Sequence, residues 1–181
     1  MKKIRLSYSL LSLWEKGLYD EAVSTYFHLD KPISKQMEDG KRIHKEIEEH
    51  IKNLNSFPSY LINHILTLPE TEKEVVVSYN EMFNLKGIYD CYDVPLIFEF
   101  KTGVQDSLEW LRTCQASIYF LLAELAKIEA DSLYLIRFNQ YTATTDFAIV
   151  HNSKKLRDKA KNYIDTIGPE VYSHFEREGL I

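Results

Sequence analysis

The chain has 181 residues, 45% hydrophobic and 27% charged, with a formal net charge of −5. That balance is ordinary for a soluble globular protein, and the length suits one domain spanning 1–181 with a sizeable core. No apolar run approaches the ~20 residues that span a bilayer, so no membrane association is expected. Two cysteines, Cys91 and Cys114, are too few for a disulfide framework or a four-cysteine metal or iron–sulfur site. A reducing, cytoplasmic setting is expected. The basic start, Met1-Lys2-Lys3-Ile4-Arg5, leads into a stretch interrupted by Ser7, Ser9 and Ser12. No small-residue cleavage site follows, so it reads as mature protein rather than a signal peptide.

In chain order, serines interleaved with apolar residues from Ser7 to about Leu18 predict a first helix. A second is predicted from about Ser34, its cap, to Leu54, and a short third over Tyr60–Leu66. Val75–Tyr79, Leu85–Cys91 and Leu96–Lys101 read as strands, the last two joined by a turn at Tyr92-Asp93-Val94-Pro95. A long helix over about Gln105–Ile128 comes next. Strands near Leu133–Phe138 and Asp146–Val150 and a terminal helix from about Ser153 complete the chain. This order makes an α/β (α+β) sandwich around one sheet.

The hairpin carries the chemistry. Asp90, Glu99 and Lys101 stand where strand interiors normally keep apolar side chains. Side chains alternate across a strand, so Glu99 and Lys101 share a face with Ile97, while Leu96, Phe98 and Phe100 fill the other. Such charges cost free energy unless they are paired, metal-bound or wet. A salt-bridged strand end accounts for one of them, but three in this arrangement ask for a functional reason. Glu74, opening the preceding strand, reads equally as a supporting carboxylate or a solvated strand end.

Two helices point at the same place. Leu108, Leu111, Ile118, Leu122 and Leu125 form an apolar stripe into which Gln115 falls, with Tyr119 four residues on. A buried amide wants up to four hydrogen bonds, so Gln115 is either a structural hydrogen-bonder or a group that orients substrate or catalytic side chains. In the earlier helix, Met37, Gly40, His44, Ile47, Ile51 and Leu54 share a stripe. Gly40 costs roughly 1 kcal/mol against Ala in a helix interior, which implies close packing on another backbone. An inward His44 suits a satisfied core position or, beside two carboxylates, a metal site.

The negative charge sits awkwardly with nucleic-acid binding, which draws on Lys and Arg. Acidic groups around a site are masked once a divalent metal binds. The positive charge is clustered at Lys2/Lys3/Arg5, at Lys41/Arg42/Lys45 and at Lys154/Lys155/Arg157/Lys159/Lys161, each reading first as a solvated helix face.

Gly40-x-x-x-His44, Gly87-Ile88-Tyr89-Asp90, Glu99-Phe100-Lys101-Thr102-Gly103 and Gln115-Ala116-Ser117-Ile118-Tyr119 occur in the order found in the PD-(D/E)xK nuclease superfamily. Over about Leu6 to Val150 the chain resembles the RecB-like branch. The resemblance implies a restriction-endonuclease-like core, a central mixed sheet flanked by helices. It further implies Mg²⁺ or Mn²⁺ held by Asp90, Glu99, the Phe100 carbonyl and His44. Lys101 would be the catalytic lysine, and Gln115 and Tyr119 the helix motif. Tyr89 stands where the family name has proline. The flanking cysteines of iron–sulfur members are absent, so no iron–sulfur cluster is expected.

DNA is the implied substrate. RNA cleavage by the same chemistry and a non-catalytic, nucleic-acid-binding accessory role remain alternatives. The sequence carries no helicase motif, so a motor, or a recombination or replication partner, would be a separate chain. Oligomeric state and exonuclease against endonuclease action are not legible in it.

Overall fold

The computed structural model describes residues 3–29, 35–54, 70–102, 107–139 and 144–181, apart from some side chains within helices and strands, that of His44 among them. The elements are β1 (Ile4–Ser7), α1 (Tyr8–Glu15), α2 (Tyr19–Tyr26), α3 (Lys35–Leu54), β2 (Glu70–Ser78), β3 (Phe83–Asp93) and β4 (Leu96–Thr102). There follow α4 (Ser107–Arg112), α5 (Gln115–Ala126), β5 (Ser132–Asn139), β6 (Thr144–His151) and α6 (Lys154–Arg177). The six strands form one mixed sheet flanked by helices, the α/β architecture expected. Among the described residues no helix is long and apolar enough to cross a membrane.

β3 organises the sheet. Along one edge it pairs antiparallel with β2, from Asn84 opposite Ser78 to Tyr92 opposite Glu70. A strand has only two hydrogen-bonding edges, so β1 and β4 share the other. β1 runs parallel to Phe83–Lys86, and β4 pairs antiparallel with Cys91–Asp93. Gly87–Asp90 thus faces a fork between β1 and β4. Beyond the fork β4 continues in parallel register with β5, Glu99 opposite Leu135 and Lys101 opposite Arg137.

β3 is irregular at the fork. Tyr89 and Tyr92 are three residues apart, yet both join the same apolar core, with ring centroids 6.1 Å apart. Strict alternation would send them to opposite faces. The change of face falls between Tyr89 and Tyr92. Across the ladder Glu72 takes φ +51°, the left-handed region that side chains rarely adopt. Local irregularities of this kind bend a strand and re-aim a side chain.

The helical layer is built on α5. Its sequence is apolar nearly all round, so every residue from Gln115 to Ala123 is buried. α5 packs over β2 and β3 and is backed by α6. Gly87 lets it approach. A Cβ there would lie 2.6 Å from Leu122 Cδ1 and 3.3 Å from the Tyr119 ring.

Several expectations are corrected. The first helix begins at Tyr8, because Ile4–Ser7 is a strand; the Ser7 side chain accepts from the Leu10 N–H as its cap. It ends at Glu15, and a separate helix, α2, follows. The helix expected over 105–128 is two, interrupted at Thr113-Cys114, so the stripe through Leu108 and Leu111 does not continue into Gln115. Leu125, counted in that stripe, is 37% exposed. Tyr92 and Asp93 extend β3, and only Val94-Pro95 make the turn. Gly40 is tight against a side chain rather than a backbone: a Cβ there would meet Thr102 Oγ1 at 2.8 Å. The Tyr60–Leu66 helix, the Ser34 cap and Gly103 lie outside the described residues.

Replacing Gly87 with Ala forces Leu122 and Tyr119 aside, and overpacking of this kind costs about 1–3 kcal/mol. Chemical denaturation of Gly87→Ala should show that loss as a lower midpoint with an unchanged slope.

Candidate active site

β4 is covered on both faces, so Glu99 is taken out of water with its neighbours and is only 3% exposed. Its Oε1 is well supplied. Lys101 Nζ, two residues along the same face, donates to it, and Gln115 Nε2 donates at 2.7 Å. Its other oxygen, Oε2, is buried without a hydrogen-bond partner, the one such side-chain atom among the described residues. An unpartnered buried carboxylate oxygen is costly. Its lone pairs are therefore available to a cation.

Gln115 is locked in the orientation that serves Glu99. The Trp110 indole N–H donates to Gln115 Oε1 at 3.0 Å. An indole can only donate, so the amide oxygen must face Trp110 and the NH₂ group must face the carboxylate. That NH₂ also donates to Tyr119 Oη at 3.1 Å, and Tyr119 Oη donates to the Ile88 carbonyl at 2.7 Å. The carbonyl lies in the fork of β3, so Tyr119 occupies an edge left open between β1 and β4. Tyr89 Oη in turn donates to the Tyr119 carbonyl at 3.1 Å.

Asp90 also bridges the fork. Its Oδ2 accepts from the Phe100 N–H at 2.7 Å. A side chain thus ties β3 to β4 just past their three-residue ladder. Burial, and then the charge of Glu99, push the Asp90 carboxyl well above the usual carboxylate range. The Phe100 N–H and Lys101 oppose that rise, and Glu72 adds to it. For Lys101, burial works against the ammonium, but the charge and hydrogen bond of Glu99, with Asp90 behind it, hold the pKa above the ordinary lysine value. Burial and the same two carboxylates raise the Tyr119 phenol well above its usual range.

The structure therefore brings together Asp90, Glu99, Phe100, Lys101, Gln115 and Tyr119. His44 lies in α3, but its side chain is outside the described residues. Glu74 is an ion-pair partner of Lys86 at 2.8 Å rather than part of this group; Glu72 is the carboxylate that acts on Asp90. Among the described residues no three His, Cys, Asp or Glu side chains form a metal-holding group. Two carboxylates and an orphaned oxygen nevertheless suit a hard divalent cation, which takes oxygen donors and relieves carboxylate repulsion. Sequence reasoning missed Trp110, whose only signal was an indole five residues before an inward amide.

The mixed sheet flanked by helices is the fold of solved structures described as exonucleases. The sequence matches no protein-family model and no curated protein. A phage-related exonuclease from Haemophilus somnus 129PT is similar, with TM-score 0.56, 14% identity and 98% of this chain against 96% of that one. The alkaline exonuclease LHK-Exo of Laribacter hongkongensis gives TM-score 0.55, 9% identity and coverage of 97% and 93%. Its complex with dAMP gives 0.54, 11%, 98% and 93%. At these identities the likeness is one of fold.

A raised carboxylate pKa means the folded state disfavours the charged form. The penalty is absent below the ordinary value near pH 4 and complete once pH passes the raised one. Asp90→Asn removes it while keeping an acceptor for the Phe100 N–H. In EDTA at neutral pH the variant should melt roughly 2–4 °C higher, the response of a chain this size to about 1 kcal/mol. The gap should close on acidification toward pH 4. An unchanged or lower melting temperature at neutral pH would refute the repulsion.

Proposed function

We propose that the protein is a metal-dependent nuclease of the RecB-like kind, hydrolysing phosphodiester bonds of DNA. The carrying observation is Glu99: one oxygen is held by Gln115 and Lys101, the other is buried and unpartnered, and its charge acts on a second buried carboxylate, Asp90. A divalent cation is the group that best satisfies both. Asp90, Glu99 and the Phe100 carbonyl would hold it, with His44 as a further ligand if its imidazole turns inward. When bound, Mg²⁺ or Mn²⁺ supplies an acidified water and charge relief at a phosphate oxygen.

The chain's own residues do the rest. Lys101 stays protonated and stands at the mouth of the site, its side chain 37% exposed while that of Glu99 is 4%. It can meet a phosphate and stabilise negative charge that develops there. Gln115, fixed by Trp110, keeps Glu99 Oε1 occupied and so aims Oε2. Tyr119 holds Gln115 against the fork. None of these groups needs to reorganise during turnover, the condition under which electrostatic stabilisation is strongest.

The exonuclease neighbours, one of them solved with dAMP, favour DNA and exonuclease action for this chain. Digestion of linear and circular DNA, single- and double-stranded, in Mn²⁺, Mg²⁺ or EDTA tests the reading. Wild type should cleave only with metal, and Lys101→Ala should lose about 10²–10³ in turnover. Linear but not circular substrates should be lost. Mn²⁺ should serve at least as well as Mg²⁺, because imidazole suits the softer ion; a clear Mg²⁺ preference would remove His44 from the ligand set. Equal lanes for wild type and Lys101→Ala would reject the proposal.

A further inference from the structure

Two clefts open on either side of Gln115. The first, of about 260 Å³, is lined on its outer side by Arg5, Ser9 and Tyr26 and reaches Gly87 and Tyr119. The second, of about 370 Å³, runs past Ser12 and Lys16 to Lys101 and Trp110. Tyr8, Ser9 and Gln115 line both. The clefts therefore adjoin at the first turn of α1 and at Gln115, the residue that holds Glu99.

Their cations are not equivalent. Lys86 in the first cleft is neutralised by Glu74, and Arg137 in the second by Asp146 at 2.6 Å. Lys101 is engaged by Glu99. Arg5 in the first cleft and Lys16 in the second are exposed and have no anionic partner among the described residues. In a chain of net charge −5, one unneutralised cation thus lines each cleft, Arg5 the first and Lys16 the second, with Lys101 beside Lys16 and Gln115 shared by both. By contrast, Arg157 and Lys161 on α6 both pair with Glu124, and Lys159 reaches the Arg112 and Thr113 carbonyls.

We propose that the two clefts form one channel for a single strand of DNA, with Arg5 and Lys16 holding its phosphates on either side of the scissile position. The half-buried Tyr8 ring, shared by both clefts, supplies the stacking surface between them. The assignment rests on the nuclease reading and names its substrate class. Clefts of about 260 and 370 Å³ suit nucleotides entering in file better than a duplex. A cationic track with an interleaved aromatic is how single strands are held without sequence readout. Hydroxyls of Ser9 and Ser12 add donors that suit phosphate oxygens.

The test is anisotropy of a short labelled single-stranded DNA, and of a blunt duplex containing it, with Lys101→Ala protein in Mn²⁺ over a range of salt. The single strand should bind more tightly than the duplex. Adding Arg5→Ala and Lys16→Ala should weaken it at least about tenfold and flatten the salt slope by about 0.7 per lost contact. Arg5→Lys with Lys16→Arg should restore binding, and Tyr8→Phe should keep what Tyr8→Ala loses. Lys154→Ala with Lys155→Ala, on the open face of α6, should change nothing.

Normal binding by the Arg5/Lys16 double variant, an equal loss in the α6 control, or a preference for blunt duplex would overturn the channel. Metal-dependent cleavage by wild type would then still support the nuclease. Absence of any DNA binding would overturn both.

Discussion

A buried carboxylate with one satisfied oxygen and one orphaned oxygen is the constraint around which the molecule is arranged. Glu99 cannot be placed at the centre of a covered sheet cheaply, and the structure offsets that cost on one side only. Lys101 and Gln115 converge on Oε1, while Oε2 keeps its lone pairs. Everything that holds Gln115 in place, from the Trp110 indole to the Tyr119 hydroxyl and the Ile88 carbonyl, maintains that asymmetry. A symmetrical solution would be more stable and chemically idle.

The sheet gives the asymmetry somewhere to act. Because β1 and β4 divide one edge of β3 between them, a stretch of backbone is left without a strand partner. Asp90 and Tyr119 both work in that interval, one tying β4 through the Phe100 N–H and the other taking the Ile88 carbonyl. The left-handed Glu72 and the change of face between Tyr89 and Tyr92 fall at the same stretch of the ladder. Local strain at such a point is tolerated because the surrounding ladder and α5 over-determine it.

Much of this was legible in the sequence, and the reason is energetic. Charges inside β-branched and aromatic runs are conspicuous, so Asp90, Glu99 and Lys101 declared themselves. Gln115 did so for the same reason on an apolar helix, although the helix itself was misjudged. No Gly or Pro marks the interruption at Thr113-Cys114, so periodicity ran straight through it. Four residues, Ile4-Arg5-Leu6-Ser7, are too few to show alternation, and β1 is recognisable only by its distant partner. Trp110 and the unneutralised Arg5 and Lys16 were illegible because each owes its meaning to what lies across space.

The parallel pairing of β1 with the start of β3 has a consequence for biogenesis. Ile4 aligns with Phe83 and Ser7 with Lys86, so β1 has no partner in this sheet until Phe83–Lys86 has been synthesised. Long-range pairings of this kind close late, because the entropy of a large loop must be overcome first. α1 follows β1 directly and walls both clefts. That wall therefore rests in part on a register between residues about 80 apart in the chain, whereas the Glu99–Gln115 contact beside it closes across only 16.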